Sequence, residues 1–545
     1  MRGADQESST NAWQFWVDRG GTFTDIVALR PDGTLTTVKL LSENPERYAD
    51  AAVHGILGLL ANAHADTAHI AAVKMGTTVA TNALLERDGA QTVLIITEGL
   101  GDALRIGYQN RPDIFALDIR LPAMLYSHVV EAEERVSAGG DIVRPLNTRR
   151  LEEELERVRA AGCTSAAIVL MHGYRYPAHE QHAAEIARRV GFEQVSVSHI
   201  ASPLMKIVSR GDTTLVDAYL SPVLERYVSH VRDGLESVIG TAPLLFMQSH
   251  GGLARADHFH GKDSILSGPA GGVVGMVETA RAAGYARIIG FDMGGTSTDV
   301  SLYEGDFERA DESSIAGFRI TAPMMHIHTV AAGGGSILKY HQARLQVGPE
   351  SAGADPGPTC YGRDGPLTIT DANVLLGRIQ PDFFPAVFGP SGDAPINASI
   401  VAERFDALTA TVNAEANELM SAEQVAAGFL HIAVERMANA IKQISIQRGH
   451  DVTRFVLSCF GGAGGQHACQ VADALGIQTV MIHPLAGVLS AYGMGLADIR
   501  SLRARTIEIE LDEESLAQLE PELEVLEQEM RDELLEQGLG EAQLQ

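Results

Sequence analysis

Two stretches of this chain place acidic, glycine and hydroxyl residues in the same order. Phe15 to Leu29 reads FWVDRGGTFTDIVAL, and Ile288 to Tyr303 reads IIGFDMGGTSTDVSLY. In each, an apolar run ends in an aspartate (Asp18, Asp292) and a glycine pair follows (Gly20-Gly21, Gly294-Gly295). Threonines come next (Thr22 and Thr24, Thr296 and Thr298), and a second aspartate (Asp25, Asp299) opens a returning apolar run. Strand, glycine turn and strand make a β-hairpin. Glycine has no Cβ, so such a turn can adopt unusual φ values and bring its N–H groups close to an anion. Threonine hydroxyls add donors, and an aspartate at a strand end can hold Mg²⁺ directly or through its waters. One copy alone reads as an ordinary hairpin. Two copies whose first aspartates lie 274 residues apart indicate a duplicated domain, each half supplying one side of a phosphate clamp.

The surrounding elements must position these hairpins. A third strand over 35–40 follows the Asp32-Gly33 turn, and 48–63 has helical spacing. A strand at 71–75 leads through Gly76-Thr77-Thr78 into a helix from Val79 to Arg87, a start whose free N–H groups suit either a cap or an anion. Strands at 92–97 and 165–171 alternate with helices at 151–161 and 177–190. His172, Tyr174 and His179 follow the end of the second strand, where ligands of such sheets gather. Arg105, Gln109, Asn110 and Arg111 form a stretch able to fork onto a carboxylate. A long helical region then runs from 203 to 235, followed by a strand at 243–247 and a glycine-rich helix start at 267–275. The alternation at 315–329 predicts one strand with His326 and His328 on the same face, a weak metal pair. Further glycine loops hold Gly333-Gly334-Gly335-Ser336 and FGGAGGQH at Phe460 to His467. Asp371 reads equally as a helix cap or as a functional acid.

Bulk properties narrow the partners. The net charge of −28 argues against nucleic acid or an anionic membrane, and no apolar run approaches the ~18 residues of a membrane span. The acidic stretch 508–545 alone carries −13 of that charge. Cys163, Cys360, Cys459 and Cys469 form no C-x-x-C pair, and no secretory leader precedes Trp13, which predicts reduced thiols in the cytoplasm.

The twin hairpins with the third glycine loop resemble the sugar kinase, Hsp70 and actin superfamily of ATPases. Within it the chain is similar to the hydantoinase A/5-oxoprolinase family, on MGTTVATNALLER (75–87), LSGPAGGVVG (266–275), VAAGGGS (330–336) and VGPESAGADPGPTCYG (347–362). TDANVLLGR (370–378), RGHD (448–451) and LSAYGMGLAD (489–498) extend the likeness. Arg19 and the nearby KLLSENP (39–45) resemble the ATP-hydrolysing 5-oxoprolinases more than the hydantoin-cleaving branch. The resemblance implies an α/β fold of two ribonuclease-H-like lobes with ATP and Mg²⁺ between them. It implies division into a disordered tail (1–12), a first lobe (13–202), a second lobe (203–500) and an acidic helical segment (501–545). The implied reaction is ATP-dependent opening of 5-oxo-L-proline to glutamate. The alternatives are a hydantoinase or ketone carboxylase subunit, or an Hsp70-like binding protein.

In that reading Asp18 and Asp292 hold the metal, and Asp18, Arg19, Asp292 and Asp299 are the catalytic group. Gly20, Gly21, Thr22, Thr24, Gly294, Gly295 and Thr296 cradle phosphate, while Gly334, Gly461, Gly462, Gly464 and Gly465 line the adenosine side. Arg19 is a candidate for the substrate carboxylate, and the general base stays open among Asp25, Asp299 and Asp371. The family region extends past Gln545, so the chain reads as half of a larger, oligomeric enzyme whose ring-opening step needs a hydantoinase-B-like domain or subunit.

Overall fold

The computed structural model describes residues 12–545 apart from 65–68, 110–114, 116, 120, 122, 385, 387, 390–392, 416–418 and 511. Residues 1–11 of the tail expected at 1–12, and the candidate carboxylate readers Asn110 and Arg111, therefore lie outside the described residues.

Three larger sheets organise the described residues. The first hairpin is Trp13–Arg19 paired antiparallel with Phe23–Leu29, which in turn pairs with Leu35–Leu41. On the other side Trp13–Arg19 runs parallel to Ile70–Thr77, followed by Leu244–Met247 and an antiparallel edge strand, Leu253–Arg255. The second hairpin repeats this plan. Arg287–Met293 pairs antiparallel with Thr298–Glu304, then Ile327–Val330, and on its other side runs parallel to Val456–Phe460 and Thr479–Ile482. Numbered by chain order within each sheet, the shared strands follow the order third, second, first, fourth, fifth in both. The remaining four-stranded sheet is wholly parallel and is covered by the helices Thr148–Ala160 and Ala178–Val190. The first sheet takes two strands from beyond residue 202, so the expected lobe boundary there cuts across one hydrogen-bonded unit.

Strand alternation assigns the faces. In the first hairpin Trp13, Phe15 and Val17 enter a core with the helix Ala51–Asn62 and the C-terminal half of the long helix Ile207–Ile239. Trp16 turns the other way, onto Gly495 and Ala491 of the segment around the helix Leu489–Leu496. In the second hairpin Ile289, Phe291 and Met293 pack into a core with the helix Ala422–Ile444, and Ile288 faces the glycine-rich helix Ser267–Ala282. That helix and Leu489–Leu496 thus form a layer reached by both sheets, in a core that joins Leu245 and Met247 to Ile288 and Phe460.

Glycine lets the layer be thin. A Cβ on Gly493 would lie 2.0 Å from the Gly271 carbonyl oxygen and 2.5 Å from the Gly275 nitrogen, both rigid helix backbone. The glycines of SGPAGG therefore serve helix packing. At the far end Lys74 Nζ donates to the carbonyls of Gly495 (2.7 Å) and Ala497 (3.2 Å), pinning the end of Leu489–Leu496 to the first sheet. Gly493→Ala must force the two helices apart and should lower unfolding stability by about 1–3 kcal/mol. A urea midpoint unchanged by that substitution would contradict the packing described.

Candidate functional site

Asp18 and Asp292 occupy matching places, each at the end of the first strand of its hairpin and each opposite a second aspartate. Asp18 pairs across strands with Asp25, and Asp292 with Asp299. Direct cross-strand partners share a face, so each hairpin presents two carboxylates together. These faces are the ones turned toward the glycine-packed helices. A Cβ on Gly268, in the first turn of Ser267–Ala282, would stand 2.9 Å from Asp18 Oδ1, and one on Gly461 would stand 2.3 Å from Asp292 Oδ1. Only bare backbone fits against either carboxylate.

Burial and like charge oppose the ionisation of both aspartates. Burial, then repulsion from Asp25, pushes the Asp18 carboxyl up to about 7, with Lys39 opposing. Burial also drives Asp292 well above the ordinary carboxylate range, and Asp299, Asp18 and Asp25 add their repulsion. Asp292 thus feels the acids of the other hairpin. Both residues keep partial solvent contact, yet Asp18 Oδ1 is enclosed and has no hydrogen-bond partner among the described residues. A buried carboxylate left without a donor calls for a cation.

The glycine turns supply donors around the same point. The Gly20 amide donates to Phe23 O (3.0 Å) and the Gly294 amide to Ser297 O (3.0 Å), closing each turn. Beyond them, the amides of Gly21, Thr22, Gly295 and Thr296 donate to no group among the described residues, and Gly21 and Gly295 have open space where a Cβ would be. The loop at Gly333–Ser336 lies on the second turn, its Gly334 amide donating to Gly294 O (3.1 Å) and its Gly335 amide to Gly295 O (2.6 Å). The third glycine loop joins through Ala463, whose amide donates to Met293 O (2.9 Å). Gly461, at φ +82°, belongs beside Asp292, and Gly464 is buried against Cys459 Sγ. Gly462 and Gly465 have open space at their Cβ positions.

Several candidates sit elsewhere. Arg19 and Thr24 are cross-strand partners one residue off the acidic row, so alternation sends them to the opposite face. The Arg19 guanidinium lies 3.9 Å from Asp50 and over the Tyr227 ring, and Thr24 is fully buried with its hydroxyl 3.0 Å from Ser42 Oγ. Thr24 braces the turn from behind, with Ser42 Oγ donating to Gly20 O (2.6 Å). Asp371 accepts from the amides of Thr359, Cys360 and Thr368 and from the Thr368 hydroxyl, which saturates it as a structural hub. The expected strand at 315–329 is broken at Pro323, and His326 falls between strands beside Arg448 and Glu308. Among the described residues no group of three or more His, Cys, Asp or Glu could hold a metal ion. An open surface groove of about 680 Å³ beside Gly99, Leu100 and Glu131 lies away from both hairpins.

One residue of the KLLSENP motif, given no role by the sequence reading, joins the first acidic row. Lys39 lies directly across from Asp25, with Nζ 2.5 Å from Asp25 Oδ1. Its signal was the register of the third strand, countable from the Asp32-Gly33 turn.

Comparison with known proteins decides the family. Residues 14–191 match the family model described as the hydantoinase/oxoprolinase N-terminal region, and residues 210–503 match the one described as hydantoinase/oxoprolinase. The chain belongs to the hydantoinase/oxoprolinase family. It is 42% identical to 5-oxoprolinase 1 of Arabidopsis thaliana over 97% of this chain and 45% of that protein. It is equally identical to the Dictyostelium discoideum 5-oxoprolinase, covering 46% of it. The chain thus spans about half the length of these curated relatives. Among solved structures it is similar to the ATP-dependent caprolactamase of Pseudomonas jessenii, at 31% identity and TM-score 0.81, covering 97% of this chain and 77% of that one. The nucleotide-free structure of acetone carboxylase shares the fold at 23% identity and TM-score 0.77, covering 98% and 78%.

The raised aspartates give this family member a pH signature. A carboxyl whose folded pKa exceeds its unfolded one binds its proton more tightly when folded, so stability falls as pH rises from about 4 through 7. Asp18→Asn removes the ionisation. It should raise the urea-unfolding free energy of the ligand-free chain at pH 8 by about 1–2 kcal/mol after allowing for solvent screening, with little change at pH 5. Equal effects at both pH values would contradict the electrostatics described.

Proposed function

We propose that the two hairpins grip the phosphates of one ATP from opposite sides, and that the chain phosphorylates a small cyclic amide, with 5-oxo-L-proline as the substrate. The observation that carries this reading is the pair of acidic, amide-rich turns from duplicated halves, both facing the layer of Ser267–Ala282 and Leu489–Leu496. The shared strand order supports two ribonuclease-H-like lobes of the actin, Hsp70 and sugar kinase type. The first lobe would then extend past residue 202 to include Leu244–Arg255. The names of the relatives support the substrate.

The chemistry follows from the substrate. A five-membered lactam resists hydrolysis at neutral pH. Transfer of the terminal phosphoryl group to the lactam oxygen, with ADP as leaving group, yields an activated imidate that water can open to glutamate and phosphate. Phosphoryl transfer depends on positioning and charge neutralisation. The free amides of Gly21, Thr22, Gly295 and Thr296 would hold phosphate oxygens, and Gly334 with Gly462 and Gly465 would border the nucleoside. Asp18 and Asp292 would hold Mg²⁺ directly or through its waters, as the enclosed, donorless Asp18 Oδ1 suits. When bound, the ion neutralises phosphate charge. Asp299, held by the Thr329 hydroxyl at 2.6 Å, keeps negative potential behind Asp292. Arg19 would act from the far face by fixing the turn between the Asp50 cap and Tyr227.

A hydantoinase-B-like domain or subunit, in a cytoplasmic oligomer, would complete ring opening; one relative is named as the alpha subunit of a caprolactamase. Among the described residues no helix is long and apolar enough to cross a membrane. ADP release with the partner present, measured with 5-oxoproline, caprolactam, hydantoin, or acetone plus bicarbonate, tests the reading. Stimulation by 5-oxoproline is expected, with Asp18→Asn and Asp292→Asn each reducing it at least ~100-fold. Stimulation by another compound alone reassigns the substrate. Tight ATP binding indifferent to all four would favour the Hsp70-like alternative.

A further inference from the structure

The duplicated hairpins carry matching rows of residues that differ at one place. Across the first sheet, Asp18, Asp25 and Lys39 are consecutive cross-strand partners on one face. Across the second sheet, the corresponding row is Asp292, Asp299 and Thr329. Two acids are answered by an ammonium in one half and by a hydroxyl in the other. The second row needs no cation to order it, since the Thr329 hydroxyl donates to Asp299 Oδ1 at 2.6 Å. A lysine in the first row is therefore more than sheet geometry requires.

Its placement suits a ligand. The Lys39 ammonium stands 2.5 Å from Asp25 Oδ1 and 5.2 Å from the centre of the Phe23 ring, which holds it beside the Gly20–Thr22 turn. The side chain is 42% exposed while that of Asp25 is 16% exposed, so the ion pair is sealed on the acid's side and open on the lysine's. Its charge reaches Asp18 in its own hairpin and Asp292 in the other. A lysine ammonium has three donors on a flexible stem, so one can stay on Asp25 while others turn to a new anion.

We propose that Lys39 contacts the terminal phosphate of the bound nucleotide, so that the first lobe offers it an ammonium where the second offers only hydroxyl and amide donors. Asp25 then positions the ammonium and limits its reach. This inference rests on the ATP reading above and adds to it a residue that distinguishes triphosphate from diphosphate. A diphosphate lacks the group Lys39 contacts, so the lysine contributes to selectivity between ATP and ADP.

The test is calorimetric titration of the full chain, wild type, Lys39→Gln and Lys39→Arg, with the magnesium complexes of ADP and of a non-hydrolysable ATP analogue. Lys39→Gln should weaken the triphosphate analogue at least ~tenfold, the equivalent of one charged contact, and leave ADP within about twofold. Lys39→Arg should restore most of the selectivity. A merely structural ion pair would instead weaken both nucleotides alike and lower the unfolding midpoint. That result, or wild-type selectivity in Lys39→Gln, overturns the proposal while leaving the ATP reading intact. A wild-type chain that binds neither nucleotide overturns both.

Discussion

Two pairs of carboxylates, one from each duplicated hairpin, are held partly buried, and the repulsion within and between the pairs governs the architecture around them. Burial and like charge both oppose ionisation of Asp18 and Asp292. Bringing such groups together costs stability unless a cation or a proton answers them. Lys39 is a partial answer, since its charge lowers Asp18 and Asp25 but leaves both above the usual carboxylate range. The centre is poised for additional positive charge, and the free turn amides beside it are poised for an anion. In the reading proposed, a magnesium nucleotide would bring both.

The rest of the fold keeps the acids close without letting them collapse. The helices Ser267–Ala282 and Leu489–Leu496 form the layer both acidic faces look onto, and their glycines allow backbone-to-backbone packing. A thicker layer would separate the sheets and dissolve the shared centre. Small residues also shape its rim, since only glycine at 268 and 461 leaves room for the carboxylates. The Lys74 bond to the end of Leu489–Leu496 fixes that helix to the strand beside Asp18. Packing mutations in these helices therefore shift the acidic faces even when they lie far from the turns.

The hairpins were legible because their signal is local: an apolar run, a glycine pair and an acid in fixed order. Parity within the strand carried further information. Asp18 and Arg19 are neighbours and must face opposite ways, so the sequence already argued against Arg19 and Thr24 sharing the clamp face. Lys39 opened the quoted KLLSENP motif, but its place opposite Asp25 required counting register from the Asp32-Gly33 turn. Pro323, lacking an N–H, foretold the break at 315–329. The helix Ala398–Glu415 goes unread above, although Val401, Phe405, Leu408 and Val412 carry its period. Other features were beyond local reach. The donors that saturate Asp371 include Thr359 and Cys360, across a loop whose path the sequence does not specify. The meeting of Gly334, Ala463 and the second turn is likewise a product of tertiary packing.

The most direct test of the account is an experimental structure of the chain with Mg²⁺ and a non-hydrolysable ATP analogue. The phosphates are expected between the turns at 20–22 and 294–296, with the ion between Asp18 and Asp292. A nucleotide bound by one hairpin alone, or at a site touching neither aspartate, would contradict it.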